Sequence, residues 1–275
     1  MVNNMSVIYT PKGKAYEYSP LALNIYEGCA HACKYCYAPD IFHRTLDDYQ
    51  AKVLPRANIM SRIRQEAPRY ADNADRPILL SFTSDPYQPL EKELELTRQT
   101  INIFRDYAVH YRILTKSSLA ARDFDIMENS HSEFGMTMVF LNDRHRQEWE
   151  PNASSVMERM NTLIEASRRG IKTWVSLEPV IIPKETLGII KHLAPYVNRF
   201  SLGKLNHHPE IERTIDWADF GVAAVALLRN LGKSFYIKKD LQKHIKITLR
   251  PEEITIPSTQ KQGGIVKWKT TQMKL

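Results

Sequence analysis

All three cysteines of this 275-residue chain lie within eight residues of one another. They are Cys29, Cys33 and Cys36, with three and then two residues between them. A small, odd-numbered cluster of this kind argues against a disulfide framework and favours metal ligation. Three thiolates can bind three corners of a four-iron four-sulfur cubane, but a cluster held only by cysteine needs a fourth. The chain contains no fourth cysteine, so one iron would stay open for another ligand.

A mononuclear zinc site is an alternative use of the same loop. His31 or His43 would then join the three cysteines as the fourth ligand. Structural zinc sites usually combine two C-x2-C pairs, and this chain contains a single pair, Cys33 and Cys36. The spacing therefore favours a cluster over zinc.

The composition indicates a folded, soluble protein. Hydrophobic residues make up 43% of the chain and charged residues 25%, which is typical of a globular protein with a large core. The first residues lack the charged start and apolar block of a secretory signal, and the longest apolar run, residues 222–228, is too short to span a bilayer. We therefore expect a cytoplasmic protein without membrane contacts.

Short β-branched or aromatic runs alternate with longer amphipathic stretches along most of the chain. Six such units in series predict an α/β fold with a parallel sheet and crossover helices. We expect a partial (β/α)6 TIM-like barrel, whose ligands bind at the carboxyl ends of the strands, with a doubly wound open sheet as the alternative. The predicted strands are 21–26, 77–82, 109–115, 135–141, 172–177 and 199–202, and the predicted helices are 59–67, 90–107, 119–128, 154–169, 183–193 and 217–231.

Positive charge is concentrated at the C-terminal end. Residues 233–275 contain ten Lys or Arg and three Asp or Glu, so their net charge equals the +7 of the whole chain. We therefore predict a barrel core at residues 1–232 and a basic C-terminal extension at residues 233–275 that packs on or beside it. Such a segment can bind nucleic-acid phosphates, although a solvated surface shows the same pattern.

The motif CxxxCxxC followed by an aromatic residue resembles the signature of radical S-adenosylmethionine (SAM) enzymes. The chain is similar in particular to their spore photoproduct lyase-like (DNA repair photolyase-like) branch, across residues 21–205. Residues 82–91, FTSDPYQPLE, resemble the element T-S/T-D-x-Y-Q-P-x-E of that branch, and residues 114–116, LTK, its strand-terminal T-K. Residues 142–143, 149–151 and Arg159 resemble its D…EP…R pattern.

The resemblance implies a barrel of the radical SAM type and the chemistry of its cofactors. A 4Fe-4S cluster on the three cysteines would pass an electron to SAM, and the resulting 5'-deoxyadenosyl radical would abstract hydrogen from a substrate. An external one-electron donor such as flavodoxin or ferredoxin is implied as well. The implied cofactor-binding residues are Tyr37 against the adenine, Ser84 and Lys116 at the amino and carboxylate ends of SAM with Asp85 beside them, and Asn142 at the ribose.

The remaining strand ends provide candidates for the substrate site. Glu178, Lys204 and Asn206 close predicted strands, and an acid, a cation and an amide over a barrel mouth can orient a polar substrate. Together with Lys116 they are the predicted catalytic residues. Tyr236, Lys238 and Lys239 are candidates for the same rim.

One position departs from the lyase pattern. In spore photoproduct lyases a cysteine stands two positions before the serine equated with Ser84 and returns hydrogen to the product radical, whereas this chain has Phe82. This difference argues against repair of the spore photoproduct itself.

We predict a lyase- or isomerase-type reaction on a thymine-type or modified pyrimidine base in DNA, as repair, rearrangement or the hypermodification found in phage genomes. A base in a duplex would have to be flipped out. One alternative is radical modification of a peptide, protein or small metabolite. Another is a non-catalytic, metal-containing nucleic-acid-binding module.

Overall fold

Seven parallel strands and one antiparallel edge strand form the main sheet, in a computed structural model that describes residues 6–128 and 130–256. A separate antiparallel pair of short strands, β3 and β4, accompanies it. The strands of the described residues are β1 (Ile8–Tyr9), β2 (Leu21–Leu23), β3 (Tyr26–Glu27), β4 (Leu54–Pro55), β5 (Ile78–Leu80), β6 (Tyr111–Thr115), β7 (Ser132–Thr137), β8 (Lys172–Val180), β9 (Arg199–Lys204) and β10 (Ser234–Ile237).

The order of the strands identifies the architecture. In the main sheet it is β1-β2-β5-β6-β7-β8-β9-β10, so each parallel strand lies beside the one before it. A doubly wound sheet reverses its strand order at a switch point, and this order does not. The doubly wound alternative is therefore wrong, and the predicted partial barrel is confirmed as an open sheet with β1 and β10 at its edges.

The sheet extends beyond the six predicted strands at both edges. β1 pairs antiparallel with β2, and β10 pairs in parallel with β9 through the register Ser234↔Arg199. The first residues of the predicted C-terminal extension therefore continue the sheet. Residues 257–275 of that extension lie outside the described residues, and the division at residue 232 stays a prediction.

Several predicted helices are shorter or divided. The predicted helix 90–107 is two helices because Glu95 has a left-handed backbone with φ of +51°. The predicted helix 119–128 is a 3₁₀ helix, Ser118–Asp123, followed by one α-helical turn. The α-helices of the described residues are α1 (Ala38–Ile41), α2 (Leu46–Ala51), α3 (Ile59–Glu66), α4 (Glu91–Leu94), α5 (Leu96–Asp106), α6 (Phe124–Met127), α7 (Asp143–Trp149), α8 (Val156–Arg168), α9 (Pro183–Leu193), α10 (Pro209–Glu212), α11 (Trp217–Asn230), α12 (Lys239–Gln242) and α13 (Pro251–Ile254).

Side chains on the two faces of the strands belong to two different apolar clusters. Ile78 and Leu80 of β5 join the large core that includes residues of the helices. Leu79, between them, packs in a smaller cluster with Ala22 and Trp174. Because successive side chains of a strand point to opposite faces, burial on both faces explains the continuous apolar run of β5. Within the described residues no helix is long and apolar enough to cross a membrane.

Helix α8 begins with a side-chain cap at Ser155. The hydroxyl of Ser155 accepts a hydrogen bond from the backbone N–H of Glu158 at 3.2 Å, and the Glu158 carboxylate accepts one from the backbone N–H of Ser155 at 2.7 Å. This reciprocal pair is a capping box. The preceding Ser154 does not cap the helix, because its hydroxyl accepts a hydrogen bond from Ser118 N–H at 2.9 Å.

We expect Ser155→Ala to lower the free energy of unfolding by about 1 kcal/mol, because the variant loses the acceptor for an otherwise unpaired helix N–H. Urea denaturation followed by far-UV circular dichroism measures the change. Ser167→Ala, in the last turn of the same helix, is the control and should not destabilise the protein. Equal stability of Ser155→Ala and wild type would contradict the capping assignment.

Candidate active site

The three cysteines lie in the loop that follows β2 and β3. Gly28, just before Cys29, has φ of +78°, and a Cβ at this position would lie 2.3 Å from the carbonyl oxygen of Lys52. The turn into the loop therefore requires glycine. Cys29, Cys33 and Cys36 line a cavity of about 250 Å³, whose other walls come from the ends of β5, β6, β8 and β9.

The thiols need a cationic ligand to become thiolates in this cavity. Burial raises the pKa of all three, and Asp85 adds to the effect at Cys29. At Cys33 burial raises the pKa to about 12 although Lys116 lowers it. Metal ions stabilise the deprotonated form of a coordinating thiol, so the donor set fits an iron–sulfur cluster held at three corners.

Neither histidine of the zinc alternative is placed as a ligand. His31 is buried, with Nδ1 3.2 Å from the carbonyl oxygen of Asn152 and Nε2 3.2 Å from Oδ2 of Asp85. His43 is exposed and does not line the cavity. The arrangement gives the zinc alternative no support.

The carboxylate of Asp85 joins the cysteine loop to two strand ends. Its Oδ1 accepts hydrogen bonds from the Thr115 hydroxyl at 2.6 Å and from Tyr87 N–H at 2.8 Å, and its Oδ2 accepts one from Lys116 N–H at 2.8 Å. Burial alone would raise the pKa of Asp85, but nearby His31 and these hydrogen bonds lower it to about 2. The carboxylate thus positions its neighbours, and a direct contact with SAM stays a prediction.

Ser84, Lys116 and Tyr37 lie together beside the cysteines. The Ser84 hydroxyl is buried without a hydrogen-bond partner in the described part of the chain, which suits a polar ligand. Burial would lower the pKa of Lys116, but nearby acidic groups raise it above its usual value, so the lysine is charged. Tyr37 donates a hydrogen bond to the Phe82 carbonyl oxygen at 2.8 Å. These residues fit SAM next to a cluster, while their individual roles stay predictions.

A buried ion pair lies next to the cysteine loop and supports it. Glu150 and Arg159 are at most 1% exposed, and the guanidinium contacts the carboxylate directly. The Tyr35 hydroxyl donates to the same carboxylate, and Lys34 N–H donates to the carbonyl oxygen of Trp149 at 2.9 Å. The EP…R pattern of the sequence therefore has a structural role beside the cluster loop.

Asn142 lies apart from this group. Its side chain accepts a hydrogen bond from Arg144 N–H at 3.0 Å and caps α7, and its backbone N–H donates to Glu185 at 2.9 Å. It is not among the residues that line the cavity. Its predicted contact with the ribose is untested by this arrangement.

Glu178, Lys204 and Asn206 all line the cavity, as does Lys238 of the predicted rim. Nζ of Lys204 lies 2.5 Å from a carboxylate oxygen of Glu212 on α10, and Asn206 donates to the Lys204 carbonyl oxygen at 2.9 Å. Glu178 faces Gly203, where a Cβ would lie 2.6 Å from the Glu178 carboxyl carbon. The glycine therefore makes room for this carboxylate.

The predicted rim residues Tyr236, Lys238 and Lys239, within or just after β10, divide between two places. Lys238 is buried in the cavity, where it contacts Glu178. Tyr236 and Lys239 instead hold Glu17, with distances of 2.7 Å from the Tyr236 hydroxyl and 2.9 Å from Lys239 N–H. A further cavity residue, Tyr18, was not predicted because it precedes β2 in a segment without a motif; its hydroxyl also contacts Glu178.

A partial barrel with a three-cysteine loop at the carboxyl ends of its strands defines the class of radical SAM enzymes. The family model described as the Radical SAM superfamily matches residues 23–195, and the chain belongs to this superfamily. An uncharacterized protein of Methanocaldococcus jannaschii is 29% identical over 187 residues, which are 67% of this chain and 70% of that protein. The radical SAM Nα-GlyT isomerase of Pseudomonas phage M6 is 25% identical over 174 residues, which are 60% of this chain and 34% of the isomerase.

Solved structures share the fold at lower identity. Spore photoproduct lyase complexed with a dinucleoside spore photoproduct superimposes with a TM-score of 0.63 at 14% identity, covering 86% of this chain and 80% of the lyase. Streptococcus suis SuiB bound to its precursor peptide SuiA gives a TM-score of 0.57 at 12% identity, covering 80% of this chain and 49% of SuiB. The predicted superfamily is confirmed, and spore photoproduct lyase is a structural neighbour.

We expect Asp85→Asn to weaken SAM binding to the reconstituted protein by about tenfold. The amide N–H₂ of asparagine would point at backbone N–H groups that now donate hydrogen bonds to the carboxylate. Equilibrium binding of SAM under anaerobic conditions measures the effect. Asp125→Asn, an exposed acid paired with Arg98, is the control and should bind SAM as the wild type does. Unchanged SAM affinity in Asp85→Asn would contradict the positioning role.

Proposed function

We propose that this radical SAM superfamily enzyme carries out a lyase- or isomerase-type reaction on a thymine-type or modified pyrimidine base in DNA. When bound and reduced, a 4Fe-4S cluster on Cys29, Cys33 and Cys36 supplies the electron that breaks the C5'–S bond of SAM, which yields the 5'-deoxyadenosyl radical that takes hydrogen from the substrate. The electron comes from an external donor such as flavodoxin or ferredoxin.

The cavity residues hold SAM and keep its reacting end away from water. Lys116 pairs with the carboxylate of SAM, because a carboxylate in a partly dry cavity needs a cationic partner. The buried hydroxyl of Ser84 forms a hydrogen bond with the amino end of SAM. Tyr37 and Phe82, with ring centroids 5.5 Å apart, form an apolar wall beside this position. Together these contacts orient SAM and exclude other hydrogen donors.

The charge at the cavity mouth is the observation that carries the DNA proposal. Lys14 lines the cavity and lies 2.5 Å from a carboxylate oxygen of Asp240, and Lys243 lies 4.0 Å from the other oxygen. Lys239, next to Asp240 in the chain, is exposed. We call Lys14, Lys239 and Lys243 the basic strip. Three lysines beside two acids, Asp240 and the buried Glu17, leave net positive charge next to Lys14, where the phosphates flanking a base in the cavity would lie.

Two relatives support a nucleic-acid substrate and a rearrangement. Spore photoproduct lyase, a structural neighbour, has been solved with a dinucleoside photoproduct. The phage relative is named as an isomerase. Phe82 at the position of the lyase's hydrogen-donating cysteine argues for rearrangement or hypermodification over repair of the spore photoproduct, since the three cysteines of the chain all lie in the cluster loop.

A peptide substrate is the second candidate, because SuiB, which shares the fold, has been solved with its precursor peptide. Hydrogen transfer separates the candidates. We expect anaerobically reconstituted, reduced protein to move deuterium into 5'-deoxyadenosine from a deuterated DNA pool, but not from RNA or peptide pools. The Cys33→Ala variant should form no 5'-deoxyadenosine from any pool. Deuterium from peptides alone would contradict the DNA proposal, and failure of wild type to cleave SAM would favour a non-catalytic module.

We expect the triple substitution Lys14→Gln, Lys239→Gln and Lys243→Gln to reduce the salt dependence of DNA binding. Each lost phosphate contact lowers the slope of log K against log salt by about 0.7 to 0.9, so the slope should fall by about two to three units. Fluorescence anisotropy with a labelled oligonucleotide at several salt concentrations measures the slope. The control replaces three exposed lysines away from the cavity, Lys92, Lys184 and Lys191, with Gln. An equal slope in the two triple variants would contradict the basic strip.

A further inference from the structure

A second charged pair lies inside the cavity. Glu178, near the C-terminal end of β8, contacts Lys238, which directly follows β10. The Lys238 side chain is 4% exposed, and its Nζ lies 3.3 Å from the centroid of the Tyr18 ring. Burying two charges costs solvation free energy that their attraction repays only in part. A charged pair that lies in a ligand cavity despite this cost is therefore a candidate for ligand binding.

The two lysines of the cavity have different charged neighbours. Those that act most strongly on Lys116 are Cys33, Glu150, Asp85 and Arg159. Those that act most strongly on Lys238 are Glu178, Glu17 and Lys14, and burial is the main reason that the pKa of Lys238 is lowered. One cavity thus contains two lysines in different surroundings. Because Lys116 is assigned to SAM, Lys238 is left for the substrate.

The pair also has unused hydrogen-bonding capacity. In the described residues, the contacts of the Glu178 carboxylate with Tyr18 and Lys238 both go to Oε2. Its Oε1 faces Gly203, which has no side chain to bond it. An ammonium group carries three N–H donors, and one carboxylate contact uses one of them. An acceptor and a donor therefore lie side by side for a ligand.

The walls near this pair suit a flat ring. The Tyr18 and Phe82 ring centroids are 6.0 Å apart, and Phe82 continues to Tyr37 at 5.5 Å. Aromatic side chains of this kind stack on bases, which have an apolar face and a polar edge. The edge that matches an acceptor beside a donor is one that presents a ring N–H next to a carbonyl oxygen.

We propose that Glu178 and Lys238 bind the imide edge of a pyrimidine base, with Glu178 accepting from the ring N–H and Lys238 donating to the adjacent carbonyl oxygen. The inference rests on the proposed function and makes thymine-type bases the preferred class. Cytosine, in the same orientation, turns an amino group toward Lys238 and a ring nitrogen lone pair toward Glu178. Both contacts then become unfavourable, so cytosine is rejected.

The test compares hydrogen transfer from two otherwise identical deuterated oligonucleotides, one with thymine and one with cytosine at the reacting position. Wild type should prefer thymine by about a hundredfold or more, since buried polar groups left unpaired discriminate strongly. Glu178→Gln should reduce this preference at least about tenfold, because the amide N–H₂ can donate to the cytosine ring nitrogen.

A lone buried lysine can destabilise the single variant, so the double variant Glu178→Gln with Lys238→Met removes both charges together. It too should lose the thymine preference. Arg229→Met, which breaks an ion pair with Glu253 outside the cavity, should keep the preference. An unchanged preference in both cavity variants overturns the imide assignment and leaves the DNA function standing. No transfer from either oligonucleotide to wild-type protein overturns the DNA function itself.

Discussion

The carboxylate of Asp85 is the contact on which the arrangement of the site depends. It lies at the C-terminal end of β5, yet it contacts His31 in the cysteine loop and the backbone of Lys116 at the end of β6. Gln88, three residues later, accepts a hydrogen bond from Ala30 N–H at 3.1 Å in the same loop. One short segment therefore positions both the cluster ligands and the candidate SAM lysine. This explains in physical terms why polar residues are buried at that place.

Charge balance divides the cavity into two ends. At one end, the Glu150–Arg159 pair and Lys116 lie near cysteines whose thiol pKa values are raised by burial. At the other end, the Glu178–Lys238 pair stands beside Tyr18. The rings of Tyr18, Phe82 and Tyr37 contact one another in series along the cavity wall, and an apolar wall strengthens electrostatic contacts with a bound ligand. A radical formed at the first end would thus meet a substrate oriented at the second.

Local patterns in the sequence predict the parts of the fold that depend on local physics. Cysteine spacing predicted a cluster loop, and the alternation of apolar runs identified the six central parallel strands. Other features depend on distant pairing: β1 is two residues long and forms by pairing with β2. Tyr18 reaches the cavity through long-range contacts with Phe82 and Glu178, and no motif marks it. Glu95 ends a helix within an apolar periodicity that predicted continuous helix, because its backbone is left-handed.

The most direct test of the account is electron paramagnetic resonance of the anaerobically reconstituted and reduced protein, before and after addition of SAM. A cubane held by Cys29, Cys33 and Cys36 should contain about four iron atoms per chain, and SAM should shift its spectrum by binding the iron that no cysteine holds. Mononuclear zinc in the purified protein, or an iron signal that SAM leaves unchanged, would contradict the account.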